Sequence, residues 1–215
     1  MSEQDFGRIP RIGEVAPDFT QVTTHGELRF HEWKGDSWAV LFSHPADFTP
    51  VCTTEMVEFA RRNKEFVDRK VKLIGLSIDS IHAHLAWTQN IKQHLDVQLP
   101  FPIIADLDTK VAQKYGMIHP GESSTATVRA VFVVDPQNTI RAMIYYPLTN
   151  GRSIDEVLRL VDSLQTSSAN ACATPANWKP GEKVIVPPPK TEAEVEQRLS
   201  SSYEKVDFYL MKRSL

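Results

Sequence analysis

The stretch WAVLFSHPADFTPVCTTEMVEFARR, residues 38–62, begins as an unbroken apolar run and ends with helical spacing. Trp38–Phe42 reads as a strand. Pro50 stands where a helix begins, since proline is favoured at the first helical position. Thr49 then falls at the N-cap, a preferred place for threonine, with its hydroxyl available to cap the helix. Cys52 becomes the third helical residue, close to unpaired backbone N–H groups and the positive end of the helix dipole. Helix N-termini and nearby cations favour the thiolate, which is the reactive form of cysteine. Loops at the carboxyl ends of strands are where α/β proteins build their sites. The stretch therefore predicts an activated, reachable cysteine; the alternative is a packed, inert residue behind a Thr-Pro cap.

Working outward, four more apolar runs read as strands: Val71–Ile78, Phe101–Ile104, Ala130–Val134 and Ile140–Tyr145. Helical patterns separate them at about Pro50–Val67, Ile81–Leu95, Thr109–Tyr115 and Ser153–Leu164. Strands alternating with helices predict an α/β sandwich around a central sheet. DFTQV and ELRFHEW, flanking His25 and Gly26, predict an N-terminal hairpin. Composition shifts after Gln165, where TSSANACATPANWKPGEKVIVPPPK is rich in Pro, Ser, Ala and Asn. The reading is a main domain over 1–165 and a small C-terminal extension over 166–215, with a short helix in TEAEVEQRLS. Trp178, Tyr203, Phe208 and Tyr209 would not all remain in water, so the extension is expected to pack on the main domain or on a second subunit.

The bulk numbers exclude several classes. A net charge of −3 and ordinary hydrophobic and charged fractions of 41% and 24% give no sign of a nucleic-acid or membrane partner. No apolar run approaches the ~20 residues of a membrane span, and MSEQDFGRIPRIG is not a secretory signal, so a cytoplasmic protein is expected. Two cysteines, Cys52 and Cys172, are too few for a disulfide scaffold. No metal or other cofactor is called for: His82 and His84, two apart on a helix, do not face together.

Residues 45–52, Pro-Ala-Asp-Phe-Thr-Pro-Val-Cys, match the pattern Pro-x-x-x-Thr-x-x-Cys, and SHPADFTPVCTTE as a whole resembles the one-cysteine subfamily of the peroxiredoxins. The resemblance continues through LSIDS, HLAWTQNI, LPFPIIAD, VRAVFVVDP, YYPLTNGRSIDEVLR and ATPANWKPGE. It implies a thioredoxin-like fold with an N-terminal hairpin, and a C-terminal arm that helps form a homodimer, in some relatives assembled into a decamer. Thr49 stands where thioredoxins have their first cysteine, which argues for a single attacking thiol. The implied activity is reduction of hydrogen peroxide and organic hydroperoxides through a sulfenic acid on Cys52.

The same resemblance assigns roles. Arg129, expected at the sheet edge where a buried strand opens, would hold the Cys52 thiolate and donate to peroxide oxygens; a solvated strand-end arginine is the alternative. Thr49 would bond the peroxide and Pro45 would shield the sulfur. Glu55, one turn beyond Cys52, would orient an arginine, and Arg152, just before the capping-box pattern Ser153-x-x-Glu156, would be a second arginine near the site. His44, adjacent to Pro45, is a candidate pH-sensitive neighbour. Cys172 is a candidate resolving thiol, with an external thiol or other reductant as the favoured alternative. Two rival functions remain. A phospholipase-like activity would use Ser37 in Gly35-Asp36-Ser37-Trp38-Ala39 with His31, but Gln137 stands at the aspartate position, with Asp135 close by. A chaperone or redox-signalling role is the other.

Overall fold

Strand β3 (Trp38–Ser43) is buried at all six positions, as its unbroken apolar run requires. It lies between β4 (Val71–Ser77), to which it runs parallel, and β6 (Arg129–Val134), to which it runs antiparallel. In this computed structural model, which describes residues 9–215, those strands form the centre of a seven-stranded sheet. Strand β5 (Ile103–Ala105) extends it parallel to β4, and the hairpin of β1 (Thr20–Thr23) and β2 (Gly26–Arg29) continues it on that side. Strand β7 (Ile140–Tyr146) closes the other side, giving the order β2-β1-β5-β4-β3-β6-β7. Packed on this sheet is an aromatic group: Phe19 stacks on Phe30 with centroids 5.0 Å apart, and Tyr115 meets Phe132 edge-on at 5.0 Å. Each such ring, fully buried, contributes roughly 1.5–3 kcal/mol.

Helix α2 (Pro50–Arg61) begins where Pro50 predicts, with Thr49 in the extended conformation of an N-cap. The single helix expected to reach Val67 is instead two, because Arg62 (φ −97°, ψ 6°) leaves helical geometry before α3 (Asn63–Asp68). The second half of ELRFHEW is not strand: Phe30–Lys34 forms the short helix α1, which brings Phe30 and Lys34, four apart, to one buried face. Helix α4 (Ile81–Leu95) has the bounds its pattern predicts and is capped by Ser80, which accepts from Ala83 N. A short helix α5 (Lys110–Lys114) follows β5.

The chain divides into two compact units at Ile154/Asp155. The composition shift after Gln165 therefore lies inside α6 (Ile154–Asn170), the helix that carries the chain into the second unit. That unit also holds a three-stranded antiparallel sheet in the order β8 (Val184–Ile185), β10 (Leu210–Arg213), β9 (Glu204–Asp207), and the helix α7 (Glu192–Leu199). Trp178, Val184 and Met211 are buried, and Trp178 Nε1 donates to Glu182 O. Tyr203, Phe208 and Tyr209 are exposed in the single chain. Among the described residues no helix is long and apolar enough to cross a membrane.

Candidate active site

The N-terminus of α2, the start of β6 and the 148–152 loop meet at Cys52. Arg129 Nη1 donates to Cys52 Sγ at 3.3 Å and to Glu55 Oε2 at 2.8 Å. Its Nε and Nη2 both donate to Leu148 O, at 3.1 and 2.7 Å. A guanidinium has five N–H bonds, so one Nη2 N–H keeps no acceptor among the described residues. Arg129 was expected at the sheet edge; it is buried on the interior strand β6, and the Glu55 charge makes that burial tolerable.

Glu55 is the hub. Besides Arg129, it accepts from Arg152 three times: Oε1 from the backbone N at 2.8 Å and from Nε at 2.9 Å, and Oε2 from Nη2 at 2.7 Å. Burial pushes the Glu55 carboxyl up, but the Arg152 charge and hydrogen bonds, followed by the Arg129 charge, outweigh it and hold the group below its ordinary value. Arg152 is itself buried, donates to Ala130 O at 3.0 Å and lies over the rings of Phe42 and Phe59. The cluster carries two positive charges and one negative.

Two expectations change here. Cys52, expected to be reachable, is fully buried in this conformation, beside Arg129 in the first turn of α2. Thr49 supplies the N-cap backbone but no capping hydroxyl. The chain reverses at Phe48, which has φ +55°, and this turns the Thr49 hydroxyl to donate to Ala46 O at 2.9 Å. With its proton so committed, the Thr49 oxygen has lone pairs left to accept. Pro45 opens this 45–49 loop and is half-buried.

His44 does not bond to Cys52, Thr49 or Arg129. It is buried, with Nε2 2.8 Å from Asp47 Oδ1. Burial pushes it below its ordinary value, against the pull of Asp47, so it is neutral near pH 7 rather than poised to switch there. Asp47 is a site residue that sequence reasoning missed. It also faces His84 Nδ1 at 2.7 Å, while His82 is exposed on the other face of α4. Burial pushes the Asp47 carboxyl up, but the bonds from the two histidines outweigh this and hold it low. His44, Asp47 and His84 have the donor chemistry of a metal site. Both carboxylate oxygens, however, are engaged by direct hydrogen bonds at ordinary N···O distances, which hold the trio together without an ion.

The remaining candidates make no hydrogen bond to this cluster among the described residues. Cys172 belongs to the second unit, with Sγ 3.8 Å from Thr166 O, and both cysteines are free thiols. No hydrogen bond joins Ser37 to His31, whose Nε2 is engaged by Ala16 O at 2.8 Å. Asp135 is spent on Gln137 N, Thr139 N and Arg141. A serine without an oriented base lacks the arrangement acyl transfer needs.

The family model described as AhpC/TSA family matches residues 12–143, and the model of the C-terminal domain of 1-Cys peroxiredoxin matches residues 163–202. A peroxiredoxin of Aquifex aeolicus is 53% identical over 217 residues, covering 96% of this chain and 98% of the relative. The solved structure of a yeast mitochondrial 1-Cys peroxiredoxin is similar with a TM-score of 0.87 and 42% identity, over 96% of this chain and 100% of that one. A mutant of Peroxiredoxin 6 from Arenicola marina gives a TM-score of 0.85 and 40% identity, over 95% and 98% of the two chains. The central sheet and its helices are thus the thioredoxin-like fold.

Proposed function

The chain belongs to the AhpC/TSA family of peroxiredoxins and is a thiol peroxidase; from that premise we propose that Cys52 reduces hydrogen peroxide and organic hydroperoxides by direct attack on the O–O bond. The observation that carries this reading is the Arg129 fork, with Nη1 3.3 Å from Sγ and one Nη2 N–H uncommitted. Two guanidiniums against one carboxylate leave a buried positive charge, and an anionic sulfur neutralises it. The thiolate attacks the terminal peroxide oxygen. The S–O bond forms as the O–O bond breaks, sulfur loses two electrons, and the departing alkoxide or hydroxide takes a proton to become alcohol or water. Thr49 Oγ accepts from the peroxide O–H, while the free Arg129 N–H donates to the oxygen on which charge develops. A donor aimed at that charge is worth roughly 10²–10³ in rate. Pro45 shields the sulfur, and Glu55 holds both arginines in place.

The sulfenic acid is then reduced by an external thiol: a mixed disulfide forms with loss of water, and a second thiol releases Cys52. The yeast mitochondrial relative is described as resolving through glutathione/thioredoxin systems, and this chain is assigned a donor of the same chemistry. Cys172 is the other candidate. The exposed Tyr203, Phe208 and Tyr209 of the second unit are the surface on which a second copy would sit, giving a homodimer. Peroxide consumption with glutathione or thioredoxin tests the reading. Cys52→Ser should abolish turnover and Cys172→Ser should retain it; turnover that survives Cys52→Ser would overturn the assignment.

A further inference from the structure

The 45–49 loop is anchored through its central residue. Asp47 N donates to Asp79 Oδ2 at 3.0 Å, and the same oxygen accepts from Ser77 Oγ at 2.7 Å. The Asp47 carboxylate is gripped from both sides, by His44 on its own loop and by His84 on α4. The next residue, Phe48, sits at φ +55° with its ring exposed. A non-glycine residue in the left-handed region costs about 1–3 kcal/mol and persists only where its surroundings over-determine it. The anchors on Asp47 are those surroundings. Thr49 lies one residue further on, tied back to Ala46 O.

Hydrogen counting gives the state of the grip. Ile104 O only accepts, and it lies 3.1 Å from His84 Nε2, so that nitrogen carries a hydrogen. His84 Nδ1 faces a carboxylate oxygen at 2.7 Å, so it donates as well. Both His84 ring nitrogens thus face acceptors, Nε2 the Ile104 carbonyl and Nδ1 the Asp47 carboxylate. His44 donates through Nε2 alone, and its Nδ1 has no partner among the described residues. The histidine bonds that hold the Asp47 carboxyl low, and the burial that keeps His44 neutral, agree with this geometry.

We propose that His84, acting through Asp47, is a positioning residue of the peroxide reaction: its Nδ1–H fixes the 45–49 loop so that Thr49 meets the substrate. This rests on the reading of Cys52 and Thr49 given above. His84 touches no reacting atom; its effect passes through one carboxylate.

The test compares two rates at Cys52 in the full chain, single-turnover oxidation by hydrogen peroxide and alkylation by iodoacetamide, each read by mass spectrometry of the Cys52 peptide. Misplacing a substrate-orienting group by an ångström costs about 100-fold, so His84→Ala should slow oxidation by that factor and leave alkylation nearly unchanged. His84→Asn places an amide N–H where Nδ1–H lies, and should recover about tenfold of the loss, the larger part of a lost charge-assisted hydrogen bond. Nitrogen NMR at pH 7 should find both His84 ring nitrogens protonated. The inference is overturned if His84→Ala oxidises at the wild-type rate, if both rates fall together, if asparagine does no better than alanine, or if the His84 ring carries one proton. Should His84→Ala fail to fold, the ratio of the two rates in Asp47→Asn decides in the same way. Failure of the underlying reading is seen separately, as peroxide turnover in Cys52→Ser.

Discussion

Glu55→Gln tests the charge cluster most directly. The carboxylate takes four hydrogen bonds, three from two buried guanidiniums and one from a backbone amide: Oε1 accepts from Arg152 N and Nε, and Oε2 from Arg152 Nη2 and Arg129 Nη1. Glutamine keeps the shape but replaces one acceptor oxygen with an NH₂ group, which would point donors at donors. It also leaves two buried guanidiniums with only the Cys52 sulfur to balance them. Removing one partner of a buried ion pair costs about 3–5 kcal/mol. For a chain of this size each kcal/mol shifts the midpoint by roughly 2–4 °C, so thermal unfolding at pH 7 should move down by about 6–20 °C. The cost should shrink in acid. Glu55 in the unfolded chain titrates near 4.5 and is held lower in the fold, so its contribution is complete above that value and is lost as pH falls below it. Wild type should lose stability in that window more steeply than the variant. Scanning calorimetry at several pH values reads both effects. A variant within about 0.5 kcal/mol of wild type at pH 7, the range of an ordinary surface substitution, would refute the reasoning.

Other outcomes follow from the same contacts. Arg129→Lys keeps the charge but cannot span Leu148 O, Glu55 and Cys52 together, so the second-order rate with hydrogen peroxide should fall by about 100-fold in stopped-flow measurements. Thr49→Val removes the accepting oxygen and should lower that rate strongly, whereas Thr49→Ser should retain most of it. Lys34 is fully buried and its ammonium donates to the carbonyls of Gly35, Ser37, Asp135 and Pro136. Lys34→Met strands those acceptors and should cost about 2–4 kcal/mol in urea denaturation, with peroxide kinetics at Cys52 unchanged.

What could be read from the chain depended on whether the signal was local. Pro50 and the β-branched run at Val71–Ser77 state their own conformation, and both elements stand where the sequence puts them. Ile81–Leu95 carries a capping serine and a clean period, and its bounds agree. The break at Arg62 has no glycine or proline to announce it. The burial of Lys34 depends on carbonyls that are about a hundred positions away in the chain, which no window of sequence contains. At the site, the proximity of Cys52, Glu55, Arg129 and Arg152 was implied by family resemblance; composition and spacing alone would have left Arg129 a solvated residue. Asp47 escaped notice and His84 was set aside with His82, because a carboxylate in a loop and a histidine on a helix look ordinary until the fold brings them within 2.7 Å. The Thr49 hydroxyl was misjudged for a related reason: the left-handed turn at Phe48, unmarked by glycine, decides where it points.

The junction of Glu55 with Arg129 and Arg152 also bears on how this lineage can drift. Loss of the carboxylate strands two cations, and loss of Arg152 exposes a half-satisfied acid to a dry interior. Every single-step departure passes through a less stable ancestor, so the three codons should be inherited as a block. Homologues that abandon one of them are expected to have abandoned the other two, and the thiol chemistry with them.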